Sequence, residues 1–166
     1  MSENTPKAWI ALYDNLGELA RAWKASNKAV MGFHWKKLPP FSMIWPQVDF
    51  LRIQRLMATT QEHCATQAGT AKRLLAGALS MSGGEDLRVY YQAMAHYAQS
   101  LAEACEGLAK IAAQKQDKAA GRKTAIKAIY EIMTQYRKKV NLMLTKGQLA
   151  KVAWDNLNPA RKSIHP

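Results

Sequence analysis

The fold is decided by the stretch Ser82-Gly83-Gly84-Glu85, which separates two long segments of periodic apolar residues. Two consecutive glycines disfavour a continuous helix, because glycine loses more backbone entropy on ordering than any other residue. Ser82 and Glu85 have the spacing of a capping box, in which the two side chains bond backbone amides at the start of a helix. The stretch therefore predicts a tight turn between two antiparallel helices.

Both segments beside this turn repeat apolar residues at intervals of three and four, which indicates amphipathic helices. Helix 2 is predicted from Pro46 to about Met81, and its small central residues would let a neighbouring helix approach closely. Its apolar stripe is Ile53, Met57, Thr60, Cys64, Ala68, Ala71, Leu75 and Leu79. Helix 3 carries a heptad pattern of Leu87, Tyr91, Met94, Ala98, Leu101, Cys105, Leu108 and Ala112.

Two more helices are predicted on either side of this hairpin. Helix 1 runs from Pro6 to about Val30, with a stripe of Trp9, Leu12, Leu16, Leu19 and Trp23. Helix 4 has a stripe of Ile126, Ile129, Met133, Tyr136, Val140 and Met143. It is expected to stop at Gly147, before a short amphipathic helix around 149–157. The polar stretch 114–123 contains no proline, so helices 3 and 4 are either separate or one long rod.

Single apolar stripes on long helices must be buried against each other. The sequence therefore predicts an all-α fold, a four-helix bundle with a central antiparallel hairpin and a short C-terminal helix. Residues 1–158 are expected to form one domain, and residues 159–166 a tail.

The chain is strongly basic, with 24 Lys+Arg against 12 Asp+Glu and a formal net charge of +12. Residues 1–114 hold 12 of the basic and 9 of the acidic residues, whereas residues 115–166 hold 12 and 3. Such asymmetry favours a polyanionic partner, such as nucleic acid, or an acidic membrane surface. The predicted polyanion-binding residues are Lys115, Lys118, Arg122, Lys123, Lys127, Arg137, Lys138 and Lys139. The alternative interpretation is an ordinary solvated helix face.

A Pro-containing loop at residues 31–46 is unusually aromatic. Regular helix cannot pass through Pro39-Pro40, yet the segment is too apolar for a typical solvated loop. Its side chains either anchor the protein on an apolar surface or partner, or plug one end of the bundle. The candidate surface-binding residues are Phe33, Trp35, Phe41, Ile44 and Trp45.

The chain lacks the common motifs of catalysis and cofactor binding. It has no glycine-rich phosphate-binding motif, and none of its seven glutamates has a histidine three residues later, as a di-iron bundle would require. Cys64 and Cys105 indicate buried thiols of a cytosolic protein more than a disulfide. We therefore expect no catalytic residues, no cofactor and no metal.

The sequence also gives expectations about location. The polar start of the chain lacks the pattern of a signal peptide. The longest run without a charged residue, Val89 to Ala102, is 14 residues, whereas a membrane-spanning helix needs about 20 apolar residues. We expect a cytoplasmic protein with no transmembrane segment.

Residues 47–127 resemble the phasins, helical proteins that coat polyhydroxyalkanoate storage granules. The similar stretches are Asp86–Gln92, Tyr97–Glu103 and Leu108–Ala112, together with helix 2 from Leu56-Met57 and Gln61 onwards. The resemblance implies a non-enzymatic surfactant or scaffold that self-associates and sometimes touches DNA through a basic region. The five tryptophans, the two cysteines and the Pro-containing loop depart from the phasin pattern.

The leading prediction is a phasin-like, granule-associated protein, expected to form a homo-oligomer. Its apolar helix faces would bind the granule, or a protein partner, and its basic C-terminal third would contact polyanions. The alternative is a small basic helical protein that binds nucleic acid non-specifically or assists a nucleoprotein complex. A third interpretation is a helical adaptor that is stable only with a partner chain.

Overall fold

Four helices make up the described part of the chain: α1 (Thr5–Met31), α2 (Phe50–Leu79), α3 (Glu85–Ala119) and α4 (Ile126–Leu157). The structure is a computed structural model that describes residues 5–32, 48–79, 84–122 and 125–157. Within these ranges there is no β-strand. The predicted all-α, four-helix architecture is confirmed.

The four helices alternate in direction along the bundle. The Tyr90 hydroxyl donates a hydrogen bond to the Trp9 carbonyl at 2.8 Å, which shows that the start of α3 lies beside the start of α1. Gly107 of α3 contacts Tyr136 of α4, and Tyr97 contacts Gly147, so α3 and α4 are antiparallel. α3 packs against the other three helices and is the centre of the bundle.

Small residues form the contact between α2 and α3. Cys64, Ala68, Ala71 and Ala78 are buried on α2, facing a series of buried alanines and Cys105 on α3. The predicted close approach of these helices is confirmed, and their backbones make the most extensive contact in the bundle. Leu79 was predicted in the apolar stripe, but its side chain is 62% exposed, because Ala78 takes the buried position at the end of α2.

The turn between α2 and α3 is held by an arginine. The Arg88 guanidinium donates hydrogen bonds to the carbonyls of Ala78 at 3.1 Å and Leu79 at 3.3 Å, the last residues of α2. A cation beside the carboxyl end of a helix also interacts favourably with the helix dipole. Arg88 therefore satisfies carbonyl groups that the end of a helix leaves without partners.

The predicted capping box at this turn is wrong. α3 has Gly84 at its N-cap, with no side-chain hydrogen bond to the cap, and Glu85 is its first helical residue. A capping box would place Glu85 two positions further into the helix. Ser82 lies outside the described residues. By contrast, α2 is capped by Asp49, whose carboxylate accepts the backbone N–H of Arg52 at 2.8 Å.

Helices α3 and α4 are separate, which resolves the choice that the sequence left open. α3 ends at Ala119, and Gly121 has a φ of +75°, a left-handed conformation that favours glycine. The N–H groups of Ala120 and Gly121 donate to the carbonyls of Gln116 and Lys118 at 2.9 and 3.1 Å. This arrangement satisfies the last turn of α3 and redirects the chain.

The predicted end of helix 4 at Gly147, and the separate short helix after it, are wrong. α4 continues through Gly147 to Leu157, because Ala150, Ala153 and Trp154 extend its buried stripe. An interior glycine costs a helix about 1 kcal/mol, which is less than the gain from burying a tryptophan. Gly147 also fits its site, since a Cβ there would lie 3.0 Å from the Tyr97 ring.

Side chains alone bridge α1 and α4, because no described residue of α1 has its Cα within 8 Å of one in α4. At one end Trp154 stacks on Tyr13 with ring centroids 4.0 Å apart, and it lies 4.7 Å from Trp9. At the other end the Tyr136 hydroxyl bonds the Asn27 side-chain oxygen at 2.8 Å. The two helices are thus linked at both ends and separated between them.

We expect Gly107→Ala to destabilise the protein by about 1–3 kcal/mol, because its Cβ would lie 2.8 Å from the Tyr136 ring. The hydrogen bond to Asn27 restrains this ring. Gly69→Ala is the matched control, since its Cβ meets nothing within 4 Å, and should stabilise by up to about 1 kcal/mol. Urea unfolding measures both. Equal midpoints for the two variants would contradict the close packing of Gly107.

Candidate surface-binding sites

The aromatic anchor predicted from sequence falls outside the described residues. Phe33, Trp35, Phe41, Ile44 and Trp45 all lie between Gly32, at the end of α1, and Val48. Their role in surface binding stays a prediction.

Two of the predicted polyanion-binding lysines bond to other parts of the bundle. The Lys115 ammonium donates to the carbonyl of Val30 near the end of α1, and Lys115 is half-buried. Lys139 donates to Glu106 at 2.8 Å and joins α4 to α3. These contacts were not predicted from the sequence, because Val30 and Glu106 are distant along the chain from the lysines that they bond.

The other predicted basic residues that the structure describes face solvent. Arg122 pairs with Asp117 at 2.7 Å on the surface, and Lys118 is exposed beside them. Lys127, Arg137 and Lys138 are exposed on α4, whereas Lys123 lies outside the described residues.

A basic outer face, formed by Lys127, Tyr130, Arg137 and Lys138, covers the first half of α4. At 3.6 residues per turn, these four side chains lie between about 100° and 200° around the helix from Tyr136, which is buried, and all four are exposed. The Tyr130 ring is 73% exposed, and helical spacing places it on the same side of α4 as Lys127 and Arg137. An exposed aromatic ring among basic side chains is suited to contacts with nucleic acid.

The second half of α4 is apolar on its outer side. Val89 of α3 and Leu142, Leu149 and Val152 of α4 are large apolar side chains that are 45% to 57% exposed. Val89, Leu149 and Val152 line one shallow groove of about 290 Å³ between the two helices. Leu142 lines the next groove, and both grooves share His96 and Lys146. We call Val89, Leu142, Leu149 and Val152 the apolar ridge.

The apolar ridge was not predicted from the sequence, because apolar periodicity identifies the residues that a helix buries and not those that it leaves exposed. Leu142, Leu149 and Val152 lie beside the buried stripe of α4 and continue it around the helix. The sequence did contain a signal for the ridge. Leu142 and Leu149 are seven residues apart and lie outside the buried stripe predicted for helix 4.

A second groove, of about 370 Å³, separates α1 from α4. Its walls are Leu16 and Gly17 of α1 and Met143 and Leu144 of α4, and Tyr97 of α3 also lines it. Burial of Tyr97 raises the pKa of its hydroxyl, which therefore stays protonated at neutral pH. We call this space the α1–α4 groove.

Cys64 and Cys105 meet at the α2–α3 contact, where both are buried and not joined as a disulfide. A hydrogen bond to the Cys64 thiol, together with burial, raises the pKa of Cys105 well above its ordinary value. Only the thiolate is strongly nucleophilic, so this pair is suited to packing and not to catalysis.

Among the residues that the structure describes, no three His, Cys, Asp or Glu side chains form a group that could hold a metal ion. None of the helices α1–α4, over the ranges given above, has the length and hydropathy required to cross a membrane.

Comparisons with protein-family models, curated proteins and solved structures found no match to this chain.

One ion-pair network connects α3 to α4. Glu106 accepts hydrogen bonds from Lys110 at 2.5 Å and from Lys139 at 2.8 Å. These bonds favour the carboxylate and lower its pKa from 4.5 to about 2. Because the folded-state pKa is lower than the unfolded one, the network stabilises the fold above about pH 4.5. That contribution decreases as the pH falls towards 2.

We expect Glu106→Gln to lower the free energy of unfolding by roughly 0.5–1 kcal/mol at pH 7, a modest effect because the pairs are partly exposed to solvent. The difference from the unmodified protein should shrink between pH 4.5 and pH 2. Urea unfolding across this range measures it. Glu103→Gln is the control, since Glu103 has no ion pair within the described ranges. A difference in the free energy of unfolding that persists unchanged at pH 2 would contradict the stabilising role of the Glu106 carboxylate.

Proposed function

We propose that this protein is a non-enzymatic, phasin-like coat or scaffold protein that binds the surface of polyhydroxyalkanoate granules. The apolar ridge is the observation that carries the proposal. Its four side chains lie on two adjacent helices and remain about half exposed in the folded bundle. The resemblance of residues 47–127 to phasins supports the same conclusion.

The ridge is suited to an extended apolar surface. Leu142 and Val152 are ten residues apart on one helix, so the ridge is about 15 Å long. Burying the exposed half of one leucine side chain contributes about 1 kcal/mol. The four side chains together would contribute about 3–4 kcal/mol before the cost of ordering them on the surface. Lys146 beside the ridge can lay its aliphatic stem on the polymer and keep its ammonium in water.

The test is co-sedimentation of the purified chain with polyhydroxybutyrate particles. We expect Leu149→Gln/Val152→Gln to weaken binding about tenfold, because two apolar contacts are lost. Leu51→Gln/Leu56→Gln is the matched control, since these residues of α2 are 44% and 45% exposed but lie outside the ridge. It should pellet like the unmodified protein.

Two results would contradict granule binding through the ridge. One is an unmodified chain that stays in the supernatant while a known apolar-surface binder pellets. The other is an equal loss of binding in the ridge variant and the α2 control, which would indicate non-specific adsorption.

Nucleic-acid binding is the second candidate function, and the basic outer face favours it. Lys127, Arg137 and Lys138 can neutralise phosphates, and Tyr130 offers a ring on which a base can stack. Contacts with phosphates carry no information about base sequence and release counterions. Binding through the basic outer face should therefore be non-specific and strongly salt-dependent.

Fluorescence anisotropy with generic duplex DNA at several salt concentrations tests this candidate. We expect Arg137→Gln/Lys138→Gln to reduce the slope of log K against log salt by about 2, because two phosphate contacts are lost. Lys24→Gln/Lys28→Gln is a charge-matched control on α1 and should keep the original slope. If both variants weaken binding equally, net charge alone is responsible and the basic outer face is a solvated surface.

A further inference from the structure

We propose that the α1–α4 groove binds a single-chain amphiphile with a carboxylate head, of the class of medium-chain fatty acids. The groove lies on the opposite side of α4 from the apolar ridge and shares none of its four residues. The inference therefore does not depend on granule binding.

The groove is built into the bundle by its two bridges. The stack of Tyr13 on Trp154 holds α1 and α4 apart at one end, and the bond from Tyr136 to Asn27 holds them at the other. Between these points the two backbones stay more than 8 Å apart at the Cα atoms, so the groove has side chains for walls and α3 for a floor.

Two glycines keep the groove open. Gly17 faces it from α1, and a Cβ at this position would meet nothing within 4 Å. Gly147 faces it from α4, where the Tyr97 ring occupies the space of a side chain. Both positions are inside helices, where glycine is otherwise unfavourable.

The lining specifies an aliphatic chain. Met94 and Met143 contribute flexible, polarisable side chains that adapt to ligands of variable shape, and Leu16 and Leu144 are apolar. The volume of about 370 Å³ is near the lower limit for small-molecule sites. A single chain fits such a space better than a lipid with two chains.

The polar side chains at the rim of the groove indicate the chemistry of the ligand's head group. Gln148 and Lys151 border the groove and can donate hydrogen bonds, and Lys151 supplies a positive charge. The Lys151 ammonium lies 2.6 Å from Asp155, but its side chain is 67% exposed, so this ion pair is weak. An ammonium has three donors and can bond a second carboxylate while it keeps the first.

The test uses the full chain and sodium dodecanoate below its micellar concentration, with binding measured by isothermal titration calorimetry. We expect saturable binding of one dodecanoate per chain. Gly17→Leu should weaken it at least tenfold, because the new side chain occupies the groove. Gly77→Leu is the matched control, since its Cβ also meets nothing within 4 Å but Gly77 lies on α2, away from the groove.

Two further measurements make the result decisive. Gly17→Leu should unfold at the same urea concentration as the unmodified chain or higher, because leucine has the greater helix propensity. Lys151→Met should weaken dodecanoate several-fold while leaving dodecanol binding unchanged. Gly17→Leu should also still co-sediment with polyhydroxybutyrate, so that loss of groove binding and loss of granule binding are separate outcomes.

Three outcomes would overturn the proposal. The first is an unmodified chain that shows no saturable binding of dodecanoate. The second is an equal effect of Gly17→Leu and Gly77→Leu on dodecanoate binding. The third is an equal loss of dodecanoate and dodecanol binding in Lys151→Met, which would show that the groove does not recognise the carboxylate.

Discussion

The close contact between α2 and α3 is the constraint on which the rest of the bundle depends. Small residues, with Cys64 against Cys105 at the centre, let the two backbones approach closely. Such a contact buries little area per residue, so α3 must also pack against α1 and α4 to acquire a sufficient core. The three described tryptophans, Trp9, Trp23 and Trp154, all lie on α1 and α4, and the rings of Trp9 and Trp154 meet across the wider gap between these two helices.

The hairpin and its neighbours were predictable because local signals agree with the tertiary structure. Paired glycines mark the turn, and the buried positions of α3 follow its heptad from Tyr91 to Ala112. The boundary at Gly147 was not predictable in this way. Glycine ends many helices, but here the Tyr97 ring, fifty residues away in sequence, fills the site and the helix continues.

The candidate sites were less predictable than the fold, for a physical reason. Lys115 and Lys139 look like ordinary surface lysines in the sequence. In the structure they bond Val30 and Glu106, which are distant along the chain, and these bonds hold them against the bundle. Grooves belong to pairs of helices, and a single helical pattern contains no information about the distance to the next helix. The basic composition of the C-terminal third was visible in the sequence, but its division between internal bonds and solvent was not.

The lengthwise division of α4 has a consequence for how the protein could bridge two unlike surfaces. The basic outer face ends at Lys138 and the apolar ridge begins at Leu142, a rise of only about 6 Å along the helix axis. Their far ends, Lys127 and Val152, are separated by a rise of about 38 Å, several times the Debye length at physiological ionic strength. A polyanion held near Lys127 would thus be electrostatically screened from whatever rests near Val152. The helix would serve as a rigid spacer between these two ends.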